Sequence, residues 1–199
     1  VVSTALAATA TREVQWNVPG GLVVFMYASM AVALAVFAYG IWRRARIWPL
    51  GRPYSVRDHL GLRIRRVLAG LAQATVLRRT FPGVMHALFY YGFLVLFAAT
   101  VMVFLSADLG IDAVFEGDFY LYFESLAVDV FGILFLLGVG IGVTRRYVVR
   151  PPYLVRNEPW DAILLGSLFA IALTGFLLEG IRIEATGDPW AAWSPGGNV

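Results

Sequence analysis

One histidine lies inside a long apolar stretch, and its side chain is the one best suited to hold a cofactor. His86 stands near the start of a membrane-length run that extends from Phe81 to Leu105. An ionisable group in bilayer hydrocarbon is costly, so it marks a functional site. A neutral imidazole is also a good axial ligand for haem iron. The alternative is a histidine that bonds another helix or reaches the lipid headgroups.

Residues close to His86 would complete such a cofactor site. Arg78 and Arg79 come just before the apolar run and would suit the propionates of a porphyrin. Tyr90 lies one helical turn after His86 and could bond a cofactor or merely pack. A b-type haem within a helix bundle usually needs two ligands. His59, the other histidine of the sequence, lies in a polar connection and is interpreted as a surface residue.

A second group of polar residues lies near the ends of the third and fourth apolar segments: Glu124, Asp129, Glu179 and Arg182. An ion pair of Arg182 with Asp129 or Glu179 would satisfy charges that lipid otherwise penalises. That interpretation is structural. The functional alternative is a proton path or quinone pocket in which Asp129, Glu179 and Arg182 take part, with a carboxylate as proton acceptor.

The composition places the chain among polytopic membrane proteins. Of its 199 residues, 59% are hydrophobic and only 15% are charged, which is too little polar surface for a soluble domain of this size. Cysteine is absent, so this chain alone holds no disulfide, thiolate metal site or iron–sulfur cluster. The formal net charge of +3 follows from arginines gathered on one side of the membrane, and no nucleic-acid partner is expected.

Four apolar segments predict an all-α bundle of four transmembrane helices. About 20 apolar residues cross a hydrocarbon core of about 30 Å. A polar lead-in of residues 1–19 precedes the membrane domain of residues 20–182, and a tail of residues 183–199 follows it. We expect the tail to be truncated before further spans. The predicted spans cover residues 20–42, 84–106, 122–144 and 162–181.

The arginines predict the orientation of the chain. Fourteen of the sixteen fall in the connections formed by residues 43–80 and 145–156, and basic loops face the cytoplasm. Both ends of this chain are therefore expected on the outer side of a bacterial or archaeal cytoplasmic membrane. Within the first connection, apolar residues recur at helical spacing. They predict an amphipathic helix in the headgroup plane, and a solvated basic loop is the alternative.

Glycines mark the inner half of the third span. Gly138, Gly140 and Gly142 include a Gly-x-x-x-Gly spacing. Such small residues allow the close approach of another helix or of a flat cofactor. The spacing alone leaves both possibilities open.

Four separated motifs resemble a known family. The run from His86 to Thr100 reads H-A-L-F-Y-Y-G-F-L-V-L-F-A-A-T and resembles H-x-L-I-F-W-G-F-x-x-L-F-x-x-T of nitrate-reductase-gamma-like membrane domains. Residues 126–132 and 145–151 are similar to that domain's third span and exit. Residues 174–183 resemble its fourth-span signature. The resemblance covers about residues 20–185 and keeps the motifs in order.

This resemblance implies a b-type cytochrome membrane domain of a respiratory oxidoreductase related to heterodisulfide reductase. Family members pass electrons from a cytoplasmic donor, often electron-transfer flavoprotein, through iron–sulfur clusters and haem b to menaquinone. By this resemblance, His86 is a haem ligand. The chain would be the membrane part of a quinone-linked oxidoreductase rather than a complete enzyme.

The sequence departs from the family in two ways. The family's membrane domain continues into a span with more histidines, and its soluble part carries cysteine-rich cluster sites. We therefore expect a fragment whose second haem ligand and cluster ligands lie beyond Val199 or in a cytoplasmic iron–sulfur domain or subunit. The alternative function is a cofactor-free membrane anchor for a soluble oxidoreductase partner.

Overall fold

The computed structural model describes residues 14–51, 59–78, 80–111, 117–152 and 158–197, and within these ranges the regular structure is helical. Its four long helices are apolar and long enough to cross a membrane, which confirms the predicted fold class and indicates a multi-pass membrane protein. These candidate spans are Gly20–Leu50, Phe81–Ala107, Tyr120–Val149 and Pro159–Thr186.

Residues Gln15–Leu68 form one of two compact units, and the first long helix belongs to it. This helix, α1, covers Gly20–Ala45 and begins directly after Pro19. Arg43 and Arg44 occupy its last turn, where positive charge interacts favourably with the helix dipole. A short 3-10 helix, Trp48–Leu50, follows.

The connection after α1 contains the helix that its apolar spacing predicts. This helix, α2, covers Leu60–Leu71, and its described side chains are exposed or half-buried. Leu60, Ile64 and Leu68 lie along one side because residues four apart are neighbours on a helix. The placement of α2 in the headgroup plane stays a prediction.

The second unit is built on a close contact between two long helices. Helix α3 covers Thr80–Ala107. Helix α4 covers Val128–Val143 and continues as π-helix at both ends, through Tyr120–Ala127 and Thr144–Val149. A Cβ placed on Gly92 would lie 2.7 Å from the Cβ of Phe135, and one on Gly138 would lie 2.7 Å from the backbone nitrogen of Phe89. The two backbones therefore touch, and Gly138 serves helix packing.

Replacing Gly138 with alanine is expected to destabilise the contact between α3 and α4 by about 1–3 kcal/mol, because the added methyl meets backbone that cannot move aside. Gly140 is the matched control, since a Cβ there meets nothing within 4 Å. Gly140→Ala should be neutral or stabilising by up to about 1 kcal/mol through helix propensity. Thermal unfolding in detergent measures both, and equal midpoints for the two variants would contradict this packing.

The last long helix, α5, covers Pro159–Thr186. Its start is fixed by a reciprocal capping box between Glu158 and Asp161, with proline at the first helical position. Arg146, at the end of the preceding long helix, pairs with Asp161 and ties the two helix ends together. Helix α5 ends at Gly187, whose φ of 61° is the left-handed conformation that glycine adopts without strain.

Residues 188–197 fold back after α5 and form what we call the C-terminal cap. It contains a 3-10 helix, Ala191–Trp193. Trp190 is only 5% exposed and packs with Tyr120 and Leu121 at the start of the third long helix. The cap thus covers one end of the second unit with a buried aromatic cluster.

Candidate functional site

A cavity of about 340 Å³ lies among α3, the third long helix and α5. Three carboxylates line it: Glu124, Asp129 and Glu179. The rest of the wall is largely apolar, and its side chains include Leu96, Ala99, Val103, Ile171 and Phe176. We call this space the carboxylate cavity. An apolar pocket with a few convergent polar groups is the usual form of a small-molecule site.

Asp129 is held by the C-terminal cap. Its side chain is 6% exposed, and its Oδ2 accepts three hydrogen bonds. The donors are the hydroxyl of Ser194 at 2.8 Å and the backbone N–H groups of Gly196 at 2.8 Å and Gly197 at 3.3 Å. These three bonds fix the cap against the third long helix. Sequence reasoning predicted neither the cap nor its bonds to Asp129.

Arg182 forms an ion-pair group at the same end of α5. Its guanidinium donates to Glu179 Oε1 at 2.9 Å and to Glu179 Oε2 at 3.3 Å. It also lies 2.8 Å from Asp188 Oδ2 in the cap. Of the two pairings that the sequence left open, the structure therefore forms the one with Glu179. The group satisfies buried charges and ties the cap to α5.

Glu124 reaches the cavity because the helix around it is widened. The backbone N–H of Val128 bonds to the carbonyl of Phe123, which is the five-residue spacing of a π-helix. Residues five apart lie about 140° from one another on an ordinary α-helix. The π-helical turns reduce this angle, so that Glu124, which is 4% exposed, and Asp129 line the same cavity. The sequence marks Glu124 as an acidic residue in an apolar segment but carries no signal for the π-helix.

His86 lies on a different face of α3 from the contact with α4. Phe89 and Gly92 meet α4, and His86 stands about 60° around the helix from Phe89 and about 120° from Gly92. The half-buried imidazole stacks on Tyr90 at 6.1 Å between ring centroids. Tyr91 points elsewhere, since its hydroxyl donates to the carbonyl of Ala72 at 2.9 Å. His86 and Tyr90 thus start an aromatic stripe along α3.

The packing of α3 against α4 limits the places where a porphyrin could lie. The α3–α4 contact is closed by backbone at Gly92 and Gly138, so these two glycines leave no slot for a flat cofactor, whereas Gly140 borders an open pocket. The aromatic stripe continues through Phe93 and Phe97, which are 44% and 56% exposed. The exposed stripe therefore leaves room for a flat cofactor beside the imidazole of His86. The described ranges contain no group of three or more histidines and carboxylates that could hold a metal ion.

The structure separates the two groups of predicted site residues. The carboxylate cavity begins at Leu96, about 15 Å along α3 from His86 at 1.5 Å per residue. Asp129, Glu179 and Arg182 lie together at the cavity end. Arg78 is exposed in the turn before α3. Arg79, the other predicted propionate partner, lies outside the described residues.

Replacing Asp129 with asparagine is expected to release the C-terminal cap, because an uncharged amide accepts the three hydrogen bonds less well. Hydrogen bonds to charged groups contribute about 1.5–3 kcal/mol, so protection of residues 188–197 from hydrogen exchange should fall steeply. Ser194→Ala removes one donor and should cost about 1 kcal/mol. Unchanged protection in Asp129→Asn would show that the cap is held by other contacts.

These features define a multi-pass, all-helical membrane protein with a partly open carboxylate cavity and a histidine, His86, on its second candidate span. The chain is 36% identical over 184 residues to EtfAB:quinone oxidoreductase of Syntrophomonas wolfei. It is 33% identical over 130 residues to a subunit of the dihydromethanophenazine:CoB–CoM heterodisulfide reductase of Methanosarcina thermophila, and 32% identical over 131 residues to the same subunit in Methanosarcina barkeri. It is homologous to these oxidoreductases.

The similarity covers more of this chain than of its relatives. It includes 87% of this chain but 24% of the Syntrophomonas protein, and 62% of this chain with 47% of the M. thermophila protein. The chain thus spans about a quarter of the length of the Syntrophomonas protein and about half of the length of the Methanosarcina proteins. No family model matches it, so the nitrate-reductase-gamma-like name stays a resemblance. No solved structure matches it significantly.

Proposed function

We propose that this chain is the b-type cytochrome membrane domain of a respiratory oxidoreductase, and that it passes electrons between a cytoplasmic donor and menaquinone. The observation that carries the proposal is the carboxylate cavity, a mostly apolar space with three acidic side chains inside membrane-length helices. The chain is homologous to a protein named EtfAB:quinone oxidoreductase, and this homology supports a quinone as the ligand of the cavity.

The haem half of the proposal rests on His86. A bound haem b would supply reversible one-electron transfer. His86 would offer an imidazole nitrogen from the aromatic stripe, where the ring of Tyr90 lies nearly parallel to the imidazole at 6.1 Å between centroids. The second axial ligand would come from outside the described residues, in a further span or another subunit. Arg78 and Arg79 would bind the propionates, because arginine pairs well with carboxylates.

The quinone half rests on the shape and polarity of the carboxylate cavity. An apolar ring system suits the wall formed by Leu96 and Phe176, and a quinone carbonyl suits the polar end near Glu124. Asp129, Glu179 and Arg182 would keep that end polar and fixed. The exposed apolar faces of the long helices let a lipid-soluble substrate arrive from the bilayer.

The arginine-rich connections would face the cytoplasm and the carboxylate cavity the outer leaflet, by the distribution of arginines. The donor would therefore meet the chain on the side of Arg78. A cytoplasmic iron–sulfur domain or subunit fits this role, with electron-transfer flavoprotein as its source of electrons. The relative from Syntrophomonas wolfei is named for EtfAB as one redox partner.

Purification of the full-length complex in detergent tests the proposal. We expect b-type absorption bands that appear on reduction with dithionite and are reoxidised by a menaquinone analogue. A complex without reducible haem bands that still binds its soluble oxidoreductase partner would instead support a cofactor-free membrane anchor.

A further inference from the structure

The three carboxylates of the carboxylate cavity are not equivalent. Asp129 accepts three hydrogen bonds on one oxygen from the C-terminal cap. Glu179 accepts two hydrogen bonds from Arg182. Both side chains therefore take part in contacts that hold the cap and α5 in place.

Glu124 lies on a different helical segment from Asp129 and Glu179. It lies on the π-helical turns Tyr120–Ala127, whereas Asp129 follows on regular α-helix and Glu179 comes from α5. Single π-helical turns inside longer helices occur frequently at functional sites. Here the widened turn aims a carboxylate that is 4% exposed into the cavity. An inward carboxylate in a cavity that admits a quinone is a candidate proton donor.

We infer that Glu124 is the residue that transfers a proton to the quinone in the carboxylate cavity. The inference rests on the proposed quinone site. Reduction of one quinone to quinol takes two electrons from the reduced iron–sulfur or flavoprotein donor and two protons. One O–H bond of Glu124 breaks as an O–H bond forms at a quinone carbonyl oxygen. A hydronium ion from the solvent then reprotonates Glu124, a second hydronium ion delivers the second proton to the quinone, and two water molecules remain.

Two further carboxylates line the cavity together with Glu124. Asp129 belongs to the same long helix, and Glu179 with its partner Arg182 faces the cavity from α5. The cap contributes Asp188, which is paired with Arg182. Helix α3 contributes only neutral residues to the cavity wall, including Thr100, whose hydroxyl donates to the carbonyl of Leu96. The pH dependence of quinone reduction should therefore change most when Glu124 is replaced.

The test compares Glu124→Gln with Glu124→Asp in the purified full complex, with a water-soluble menaquinone analogue as substrate. Glutamine keeps the shape but exchanges no proton, so kcat should fall about 100-fold while KM stays within about twofold. The pH profile of the residual rate should become flat. Aspartate keeps an ionisable group and should recover a substantial part of kcat and the solvent deuterium isotope effect of the wild type.

The outcomes separate this inference from the quinone site itself. An unchanged kcat and pH profile in Glu124→Gln overturns the role of Glu124 but leaves the cavity as a quinone site. A rise in KM alone gives Glu124 a binding role and also overturns the inference. If Glu124→Gln does not assemble, the pH profile of Glu124→Asp tests the inference in its place. A profile that is not shifted from that of the wild type contradicts proton transfer by this residue. A wild-type complex that does not reduce the analogue contradicts the proposed function instead.

Discussion

Replacing Gly175 with leucine is expected to lower the rate of quinone reduction about 100-fold while the helices remain intact. Gly175 lines the carboxylate cavity, and a Cβ there meets nothing within 4 Å. The new side chain can therefore extend into the space that the quinone ring would occupy. A 100-fold loss corresponds to about 2.7 kcal/mol of binding free energy, which is the scale expected when a ligand loses part of its pocket. Steady-state kinetics with a menaquinone analogue measures the loss.

Gly166 provides the matched control on the same helix. A Cβ at Gly166 also meets nothing within 4 Å, but Gly166 does not line the carboxylate cavity. Gly166→Leu adds the same side chain to α5 and should leave quinone reduction within about twofold of the wild type. Equal losses in both variants would mean that the effect arises from α5 itself and not from the cavity.

Replacing His86 with leucine is expected to remove the haem that we propose His86 ligates and to reduce electron transfer to quinone to background. Leucine fills the same part of the aromatic stripe without offering a nitrogen to iron. The stack on Tyr90 would be lost, but the α3–α4 contact at Gly92 should remain, because His86 lies on another face. The reduced-minus-oxidised spectrum and the haem content of the purified complex measure the result.

His59→Asn is the control for that experiment. His59 has a φ of 60°, and asparagine is among the residues that tolerate this left-handed conformation. This variant should keep the full haem content and rate. Loss of the haem in His59→Asn, or an unchanged spectrum in His86→Leu, would contradict ligation by His86.

The sequence predicts the long helices well because the membrane requires them. A hydrophobic run of about 20 residues must satisfy its own backbone hydrogen bonds in lipid, and a helix does so within one segment. Helix α3, for example, covers Thr80–Ala107 where the apolar pattern predicts residues 84–106. The amphipathic spacing of Leu60 and Ile64 likewise predicts that α2 is a helix.

The site is harder to predict because it depends on contacts between distant segments. Asp129 bonds to residues 65 to 68 positions away in the chain, and the polar tail gives no sign that it folds back. The π-helical turns around Glu124 change which face that residue occupies, and helical periodicity assumes a constant angle per residue. The glycine spacing of the third span allowed two interpretations, and for Gly138 the backbone contact with Phe89 decides in favour of helix packing.

The central claim is that electrons pass between a quinone in the carboxylate cavity and a haem held by His86. Reduction of the haem by quinol tests this claim most directly. The full complex is oxidised, mixed with a reduced menaquinone analogue and followed by the b-type absorption bands. We predict rapid haem reduction in the wild type and slow reduction in Gly175→Leu, in which dithionite still reduces the full amount of haem. Equally fast reduction by quinol in both proteins would show that electrons do not enter through this cavity.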